Sequence, residues 1–217
     1  MISAMKLFSV RFPLRPARAL LAVGVLCGGL LGCSGLPSAP PPVVVYDFGP
    51  LPSRTAPVRP WRLAVDVRMP AWYEALPIDY RLDYDDPLLQ RAYTGSRWAA
   101  APASLIARQL RRQLGLNDAG TAVSCFLRVE VEEFVQVFAA PQDSRGVLNA
   151  VVTVLDERRR PLAMLPQQIE VPAATPDARG GVRALVSTAN RLGENIEDWL
   201  VGLEGEGRLA ACRPTLG

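Results

Sequence analysis

The chain has 217 residues, with 24 basic and 21 acidic residues, 20 prolines and no histidine. The lack of histidine excludes Ser-His-Asp and Cys-His catalytic groups and histidine-ligated metal sites. The sequence also contains no glycine-rich phosphate loop and no Cys-x-x-Cys pair, so carboxylates are the main candidates for chemistry.

The N-terminal segment, residues 1–32, has the layout of a cleaved lipoprotein signal peptide. Lys6 and three arginines precede an uncharged run from Ala19 to Gly32, which is shorter than the about 20 residues that a membrane-spanning helix needs. Leu30-Leu31-Gly32-Cys33 resembles the bacterial lipobox, in which the cysteine becomes the lipidated N-terminus. We therefore expect acyl chains on Cys33 to anchor the protein. The alternatives are an ordinary secretory signal and a buried apolar helix.

Removal of this leader changes the charge of the protein. Four basic residues precede Cys33, which leaves 20 basic against 21 acidic residues and a net charge of about −1. No net positive charge remains to neutralise the phosphates of a nucleic acid, so nucleic-acid binding is not expected. Ser34 stands where an aspartate is typical of retention in the inner membrane. By that resemblance, the periplasmic face of the outer membrane is favoured.

Residues 33–60 are predicted to be a lipidated N-terminus and a proline-rich tether. Eight prolines lie between Ser34 and Pro60, a composition typical of extended polyproline-type chain. Val43–Phe48 interrupts this stretch with strand-forming residues and predicts a first short strand. The folded domain is assigned to residues 61–217.

The first part of this domain predicts a strand, a hairpin and a helix. Residues 63–68 alternate between apolar and polar side chains up to Pro70, as in a half-buried strand. Residues 78–84 and 88–98 flank a turn-type cluster, Asp85-Asp86-Pro87, and predict a hairpin. Pro102 begins an amphipathic helix that ends at Gly115. Its apolar stripe consists of Ala103, Ile106, Ala107, Leu110 and Leu114.

The second part predicts an antiparallel meander and a long helix. Residues 125–138, 147–155 and 162–171 are the expected strands. The first strand is expected to place one set of apolar side chains on a single face: Cys125, Leu127, Val129, Val131, Val135 and Val137. The helix begins near Thr175-Pro176-Asp177 and ends in residues 202–208. The fold class is therefore α+β, a two-layer arrangement in which two amphipathic helices pack on one face of a mainly antiparallel sheet.

Two cysteines remain in the mature chain, Cys125 and Cys212. An oxidising compartment favours a disulfide between them, and two buried free thiols are the alternative.

The acidic clusters are interpreted as solvated surface. Asp83, Asp85 and Asp86 lack the glycine and distal glutamate of a calcium loop, and Glu132-Glu133 fits a strand surface. An envelope hydrolase that uses these aspartates is the enzymatic alternative. No catalytic, cofactor or metal residues are assigned.

Four aromatic residues are candidates for a partner surface: Trp72, Trp98, Phe134 and Phe138. If alternation holds throughout the long strand, both phenylalanines lie on its polar face, where exposed rings favour interfaces. A bulge near Glu133 would turn them into the core instead. Trp98 fits a packing anchor better, and Trp72 fits either role.

Cys33, Tyr46–Pro50 and Leu63–Leu114 together resemble the ABC-type transport auxiliary lipoproteins, the PqiC/YmbA-like family. The order of strand, proline, short helix, hairpin, Arg97-Trp98 and amphipathic helix carries the resemblance, and the alanine-rich helix from Ala174 agrees with it. The likeness covers nearly the whole mature chain.

This resemblance implies a non-enzymatic outer-membrane subunit without a cofactor, which supports lipid transport across the envelope and membrane integrity. Its implied partners are an MCE-domain protein with its ABC permease and ATPase, the membrane itself and further copies of the chain. An outer-membrane or lipopolysaccharide assembly lipoprotein is the alternative.

Overall fold

The computed structural model describes residues 42–50, 61–116 and 123–213, which contain seven strands and two α-helices. The strands are β1 (Val44–Tyr46), β2 (Leu63–Arg68), β3 (Pro77–Leu82), β4 (Asp86–Trp98), β5 (Cys125–Ala140), β6 (Asp143–Asp156) and β7 (Pro161–Pro172). The helices are α1 (Pro102–Gln113) and α2 (Ala178–Gly205), and short 3₁₀ turns cover Ala71–Tyr73 and Ala210–Cys212. The predicted signal peptide, Cys33 and most of the predicted tether lie outside the described residues.

The strands form one mixed, mostly antiparallel sheet in the order β1-β4-β3-β5-β6-β7, with β2 also paired to β5. β2 and β3 lie end to end along one edge of β5, opposite residues 125–130 and 136–138. These two pairings and the β1–β4 pairing are parallel, whereas the β3–β4 hairpin and the β5–β6–β7 meander are antiparallel. The predicted α+β class, hairpin and meander are confirmed. The sequence alone did not indicate the parallel pairings.

Both helices belong to one layer against the sheet, as predicted. α1 packs on β2 and on α2, and α2 packs on β5, β6 and β7. Their apolar stripes share one core with the inner face of β5, and Ile106, Leu192 and Leu127 are fully buried there. Asp177 caps α2, since its Oδ1 accepts a hydrogen bond from the N–H of Gly180 at 2.7 Å.

A bulge in β5 changes which of its side chains face this core. Val131 pairs with Ala150 of β6, but Glu133 pairs with Asn149, so the register shifts by one residue between them. A one-residue shift exchanges the two faces of a strand. The prediction that Val135 and Val137 share the face of Cys125 is therefore wrong. They form a separate buried cluster with Val147 of β6.

A disulfide joins the start of β5 to the C-terminal 3₁₀ turn. Cys125 and Cys212 are fully buried, their Cα atoms lie 5.1 Å apart, and 87 positions separate them in the sequence. The N–H of Arg62, just before β2, donates to the carbonyl of Cys212 at 2.8 Å. The bond therefore ties the 3₁₀ turn Ala210–Cys212 to the two paired strands β2 and β5.

Candidate functional site

The structure buries three of the four aromatic residues that were predicted as a partner surface. Trp98 and Phe134 pack with Phe48, at ring-centroid distances of 5.6, 5.9 and 6.2 Å, and Phe138 packs edge-on against Tyr80 at 6.0 Å. The partner-surface interpretation of Trp98, Phe134 and Phe138 is wrong, and the core alternative holds. The bulge in β5 explains the burial of both phenylalanines, because it turns their side chains away from solvent.

Trp72 is the exposed member of the four, with 65% of its surface accessible. It lies in the 3₁₀ turn Ala71–Tyr73, which follows Pro70 after β2. Consecutive side chains of a 3₁₀ turn point about 120° apart, so Tyr73 enters the core while Trp72 stays outside. Trp72 therefore remains a candidate for contact with a partner.

Tyr73 occupies the gap between β2 and β3 along β5. β2 ends opposite Glu130 and the pairing of β3 begins opposite Gln136, which leaves the intervening backbone of β5 without a strand on that edge. The N–H of Phe134 donates to Tyr73 Oη at 3.3 Å. Burial raises the pKa of the Tyr73 hydroxyl above 10.0, and the bond from Phe134 lowers it by less. The hydroxyl therefore stays protonated at neutral pH.

An open pocket of about 320 Å³ lies between the end of β2 and the start of α1, and Tyr73 and Glu74, which follow Trp72 in the chain, line it. Its lining residues are Val67, Arg68, Met69, Tyr73, Glu74, Ala101 and Ala103. Most of these residues are apolar, and the guanidinium of Arg68 lies 3.0 Å from Asp66 Oδ2. A pocket of this size suits a single apolar side chain or a short apolar segment of a partner.

The three aspartates of the β3–β4 turn are engaged in local contacts. Asp83 Oδ1 lies 2.9 Å from Arg81 Nε, and Asp85 Oδ2 lies 2.7 Å from an amino nitrogen of Arg91. Asp86 Oδ1 accepts a hydrogen bond from the N–H of Leu88 at 2.9 Å. The arrangement agrees with the predicted solvated turn, in which the carboxylates fix the shape of the hairpin tip.

The second acidic cluster divides into one exposed and one bound side chain. Glu132 is exposed, whereas Glu133 accepts hydrogen bonds from Arg81 at 2.7 Å and from Asn149 at 2.6 Å. Nearby on β3, burial raises the pKa of Asp79 above 3.8, partly offset by a hydrogen bond from Gln90 at 2.9 Å. Glu133 thus connects β3, β5 and β6 through side chains.

A buried polar network that sequence reasoning missed joins β4, β5 and β6. Tyr93 Oη donates to Gln136 Oε1 at 2.8 Å, and Gln136 Nε2 donates to Ser144 Oγ at 2.9 Å. Gln136 is fully buried, and burial raises the pKa of the Tyr93 hydroxyl far above its ordinary value. The amide of Gln136 lies against Gly181 of α2. The one sequence signal for this network was Gln136, a polar residue between two valines. Simple alternation along the strand placed its side chain on the solvent face.

The β3–β4 hairpin carries three exposed apolar side chains near a sheet edge. Leu88 is 94% exposed, and Tyr84 and Leu89 are about half exposed. β1 covers only Ser96–Trp98 of β4, so within the described residues no strand pairs with the outer edge of Asp86–Gly95. This hairpin edge offers backbone groups and apolar side chains together. Sequence reasoning predicted the hairpin but did not single out Leu88.

The opposite edge of the sheet, β7, is protected. Pro166 in the middle of β7 has no N–H. Two carbonyl groups of other β7 residues accept hydrogen bonds from arginine side chains. Arg208 donates to the carbonyl of Leu162 at 2.7 Å, and Arg191 donates to that of Glu170 at 3.4 Å. Proteins block edges in this way where pairing with another chain is unwanted. The two edges of the sheet therefore differ in their capacity to bind a partner.

Neither helix of the described residues is both long and apolar enough to cross a membrane. Among residues 42–50, 61–116 and 123–213, no group of three or more acidic or cysteine side chains is placed to hold a metal ion.

Comparison with known proteins identifies similar folds. No protein-family model matches the chain, and no curated protein matches it. Protein XCC0632 from Xanthomonas campestris, of family DUF330, has a TM-score of 0.62 and 14% identity, and the alignment covers 76% of this chain and 97% of that protein. An uncharacterised protein of known structure has a TM-score of 0.57 and 14% identity, over 73% of this chain and 99% of its own.

A protein from Caulobacter crescentus CB15, described as a candidate lipoprotein, has a TM-score of 0.36 and 18% identity, over 46% of this chain and 83% of its own. A TM-score this low does not establish a shared fold. The first two likenesses, at 14% identity, show that the fold is shared.

Proposed function

We propose that this chain is a non-enzymatic lipoprotein subunit of an MCE-type ABC transport system. It is held at the periplasmic face of the outer membrane by lipid on Cys33, and it supports lipid transport across the envelope by binding an MCE-domain protein.

The observation that carries the binding role is the contrast between the two edges of the sheet. Within the described residues, no strand pairs with the outer edge of Asp86–Gly95 in β4, and Leu88 on this strand is almost fully exposed. The outer edge of β7, by contrast, is protected by Pro166 and by arginine side chains. Exposed apolar side chains beside free backbone groups favour addition of a partner segment. Trp72, which is exposed in the turn whose Tyr73 lines the pocket, supplies a second apolar surface.

The anchoring role is supported by the sequence that precedes the domain. The lipobox ends at Cys33, and a stretch with eight prolines follows before residue 61. Prolines keep a chain extended without a core of its own, so the domain would remain tied near the bilayer. The assignment to an MCE system rests on the resemblance of residues 33–114 to the auxiliary lipoproteins.

In-cell photocrosslinking tests the proposed function. A photoreactive residue is placed at Leu88 or Trp72 of the otherwise native lipoprotein, and at Met164 of β7 as the control. Met164 is 64% exposed, so its accessibility matches that of Trp72. We expect an MCE-domain protein to be captured from Leu88 or Trp72 and not from Met164.

Three results of this experiment would count against the proposal. Capture of an outer-membrane assembly protein from Leu88 supports the assembly-lipoprotein alternative. Recovery of no MCE-domain protein, with Cys33 shown to be lipidated by mass spectrometry, overturns the transport role. An unmodified Cys33 overturns the anchoring role.

A further inference from the structure

We propose that the β1 surface, consisting of Val43, Val44, Val45, Arg97 and Arg108, docks against the anionic phospholipid headgroups of the membrane that holds Cys33. This inference rests on the proposed lipid anchor. It adds a defined orientation of the domain on the bilayer, which anchoring alone does not provide.

The first support is apolar exposure at the point where the chain enters the domain. Val43, Val44 and Val45 are 49%, 48% and 50% exposed, and β1 is the outermost strand of the sheet. Val44 and Val45 take part in pairing to β4, so their positions are fixed. Side chains alternate along a strand, so Val43 and Val45 lie on one face of the sheet and Val44 lies on the other. The three valines together line the outer edge of the sheet, and this edge is the side proposed to approach the bilayer.

The second support is the positive charge around this edge. Val45 lies directly opposite Arg97 in the β1–β4 pairing, so both side chains lie on the same face of the sheet. Beyond the strand, an amino nitrogen of Arg108 in α1 lies 3.5 Å from Asp47 Oδ2. Arg97 and Arg108 therefore lie near β1, together with the carboxylate of Asp47. Apolar side chains flanked by arginines suit the boundary between headgroups and acyl chains.

The third support is the short chain between the anchor and the β1 surface. Val43 lies ten positions after Cys33, and ten residues span at most about 36 Å even when fully extended. Lipid on Cys33 would therefore hold the β1 surface within reach of the bilayer at all times. A weak surface interaction becomes well populated at such a high effective concentration.

The hairpin tip is a poor alternative for this contact. Leu88 and Leu89 are exposed there, but three carboxylates, Asp83, Asp85 and Asp86, lie in the same turn. The two arginines beside the turn, Arg81 and Arg91, are engaged by Asp83 and Asp85. Carboxylates next to an anionic surface are repelled. The hairpin tip is also distant from the β1 surface. Arg97 lies opposite Pro77 and Asp86 lies opposite Leu82, so five residues of β3, roughly 17 Å, separate the two regions.

Vesicle experiments with the lipidated full-length mature protein test the orientation. The protein is reconstituted in vesicles of phosphatidylethanolamine and phosphatidylglycerol, with a fluorophore on a single cysteine that replaces Val44, Leu88 or Met164. Cys125 and Cys212 are bridged and do not react. We expect quenching by lipid-attached spin labels at position 44, with much weaker quenching at 88 and 164.

Charge variants test the arginines. Each arginine near an anionic surface contributes about 1 kcal/mol, so Arg97→Gln with Arg108→Gln should lower the ratio of docked to undocked domain by roughly 25-fold. The matched control, Arg158→Gln with Arg183→Gln, removes two exposed arginines elsewhere and should leave quenching at position 44 unchanged.

The outcomes separate this inference from the proposed function. Protein that floats with the vesicles but shows equal quenching at 44, 88 and 164, or strongest quenching at 88, overturns the docking and leaves the anchor in place. Equal loss of quenching in both charge variants overturns the role of Arg97 and Arg108. Protein that does not float with the vesicles overturns the anchor and the docking together.

Discussion

A Cβ atom at position 181 of α2 would lie 1.9 Å from Oε1 of Gln136 in β5. Gly181 therefore allows the N-terminal turn of α2 to sit directly on the buried amide of Gln136. That amide already binds Tyr93 and Ser144, so it has little freedom to move. The contact sets how closely α2 approaches the sheet.

Gly181→Ala should lower the free energy of unfolding by about 1–3 kcal/mol, because the added methyl group overpacks a fixed polar network. Gly202→Ala on the same helix is the matched control, since nothing lies within 4 Å of its Cβ position. That change should be neutral or stabilise by up to about 1 kcal/mol. Urea unfolding of both variants measures the difference. Equal stability of the two would show that Gln136 can leave its network at little cost.

Removal of the Cys125–Cys212 disulfide should destabilise the domain strongly. The bond closes a loop over 87 positions. By lowering the conformational entropy of the unfolded chain, a loop of that length is expected to raise the free energy of unfolding by about 4–5 kcal/mol. Cys125→Ala with Cys212→Ala should therefore shift the urea midpoint down and make it insensitive to reductant. The wild-type midpoint should fall to a similar value in dithiothreitol. A wild-type midpoint that ignores reductant would contradict the bond.

Acid should weaken the cap of α2 through Asp177. The pKa of Asp177 lies below 3.8 because the N–H of Gly180, followed by the hydroxyl of Thr175, donates to its carboxylate. A lowered pKa in the folded state means that this carboxylate stabilises the fold fully above about pH 4 and loses that effect as pH falls through the lowered value.

The variants at this position separate the hydrogen bond from the charge. Asp177→Ala should cost about 1 kcal/mol at pH 7, and the cost should shrink on acidification. Asp177→Asn keeps an acceptor for the N–H of Gly180 and should remove most of the pH dependence with little loss at neutral pH. Unfolding measured from pH 7 to pH 3 checks both variants. A constant difference between wild type and Asp177→Ala would show that the charge is not involved.

Hydrophobic periodicity and local signals were together sufficient to predict most elements of the fold. The β3–β4 hairpin, the start of α1 at Pro102 and the Asp177 cap depend on local signals, and the structure has them at the expected positions. The bulge in β5 was not predictable with certainty, because it depends on the partner strand β6. That single shift decided the burial of Phe134 and Phe138.

The candidate binding surfaces were harder to predict than the fold. Whether Trp98 or Trp72 faces solvent depends on tertiary contacts, and only Trp72 does so. The outer edge of β4 at Leu88 has no partner strand because the pairing with β1 begins only at Ser96. Pro42, which precedes β1, has no N–H to extend that pairing. Such features arise from long-range pairing, so hydrophobic alternation within one segment does not show them.

Trp98 and Trp72 form a pair of variants that separates core from surface. Trp98→Ala should lower the free energy of unfolding by about 3–5 kcal/mol, because it empties a fully packed aromatic cluster. Trp72→Ala should change stability by less than about 0.5 kcal/mol while it weakens partner capture. Thermal unfolding and crosslinking from Leu88 measure the two effects. A large stability loss for Trp72→Ala would assign that ring to packing instead.

Leu88→Glu should abolish partner capture without affecting the fold. The side chain is 94% exposed, so its replacement should change the free energy of unfolding by less than about 0.5 kcal/mol. A fourth carboxylate beside Asp83, Asp85 and Asp86 would repel an apolar or acidic partner segment and remove the apolar contact at the unpaired edge of β4. Met164→Glu on the closed β7 edge is the control, and partner recovery in membrane pull-downs should stay at the wild-type level. If both variants retain the partner, the β4 edge is not the binding surface, and the surface at Trp72 becomes the remaining candidate.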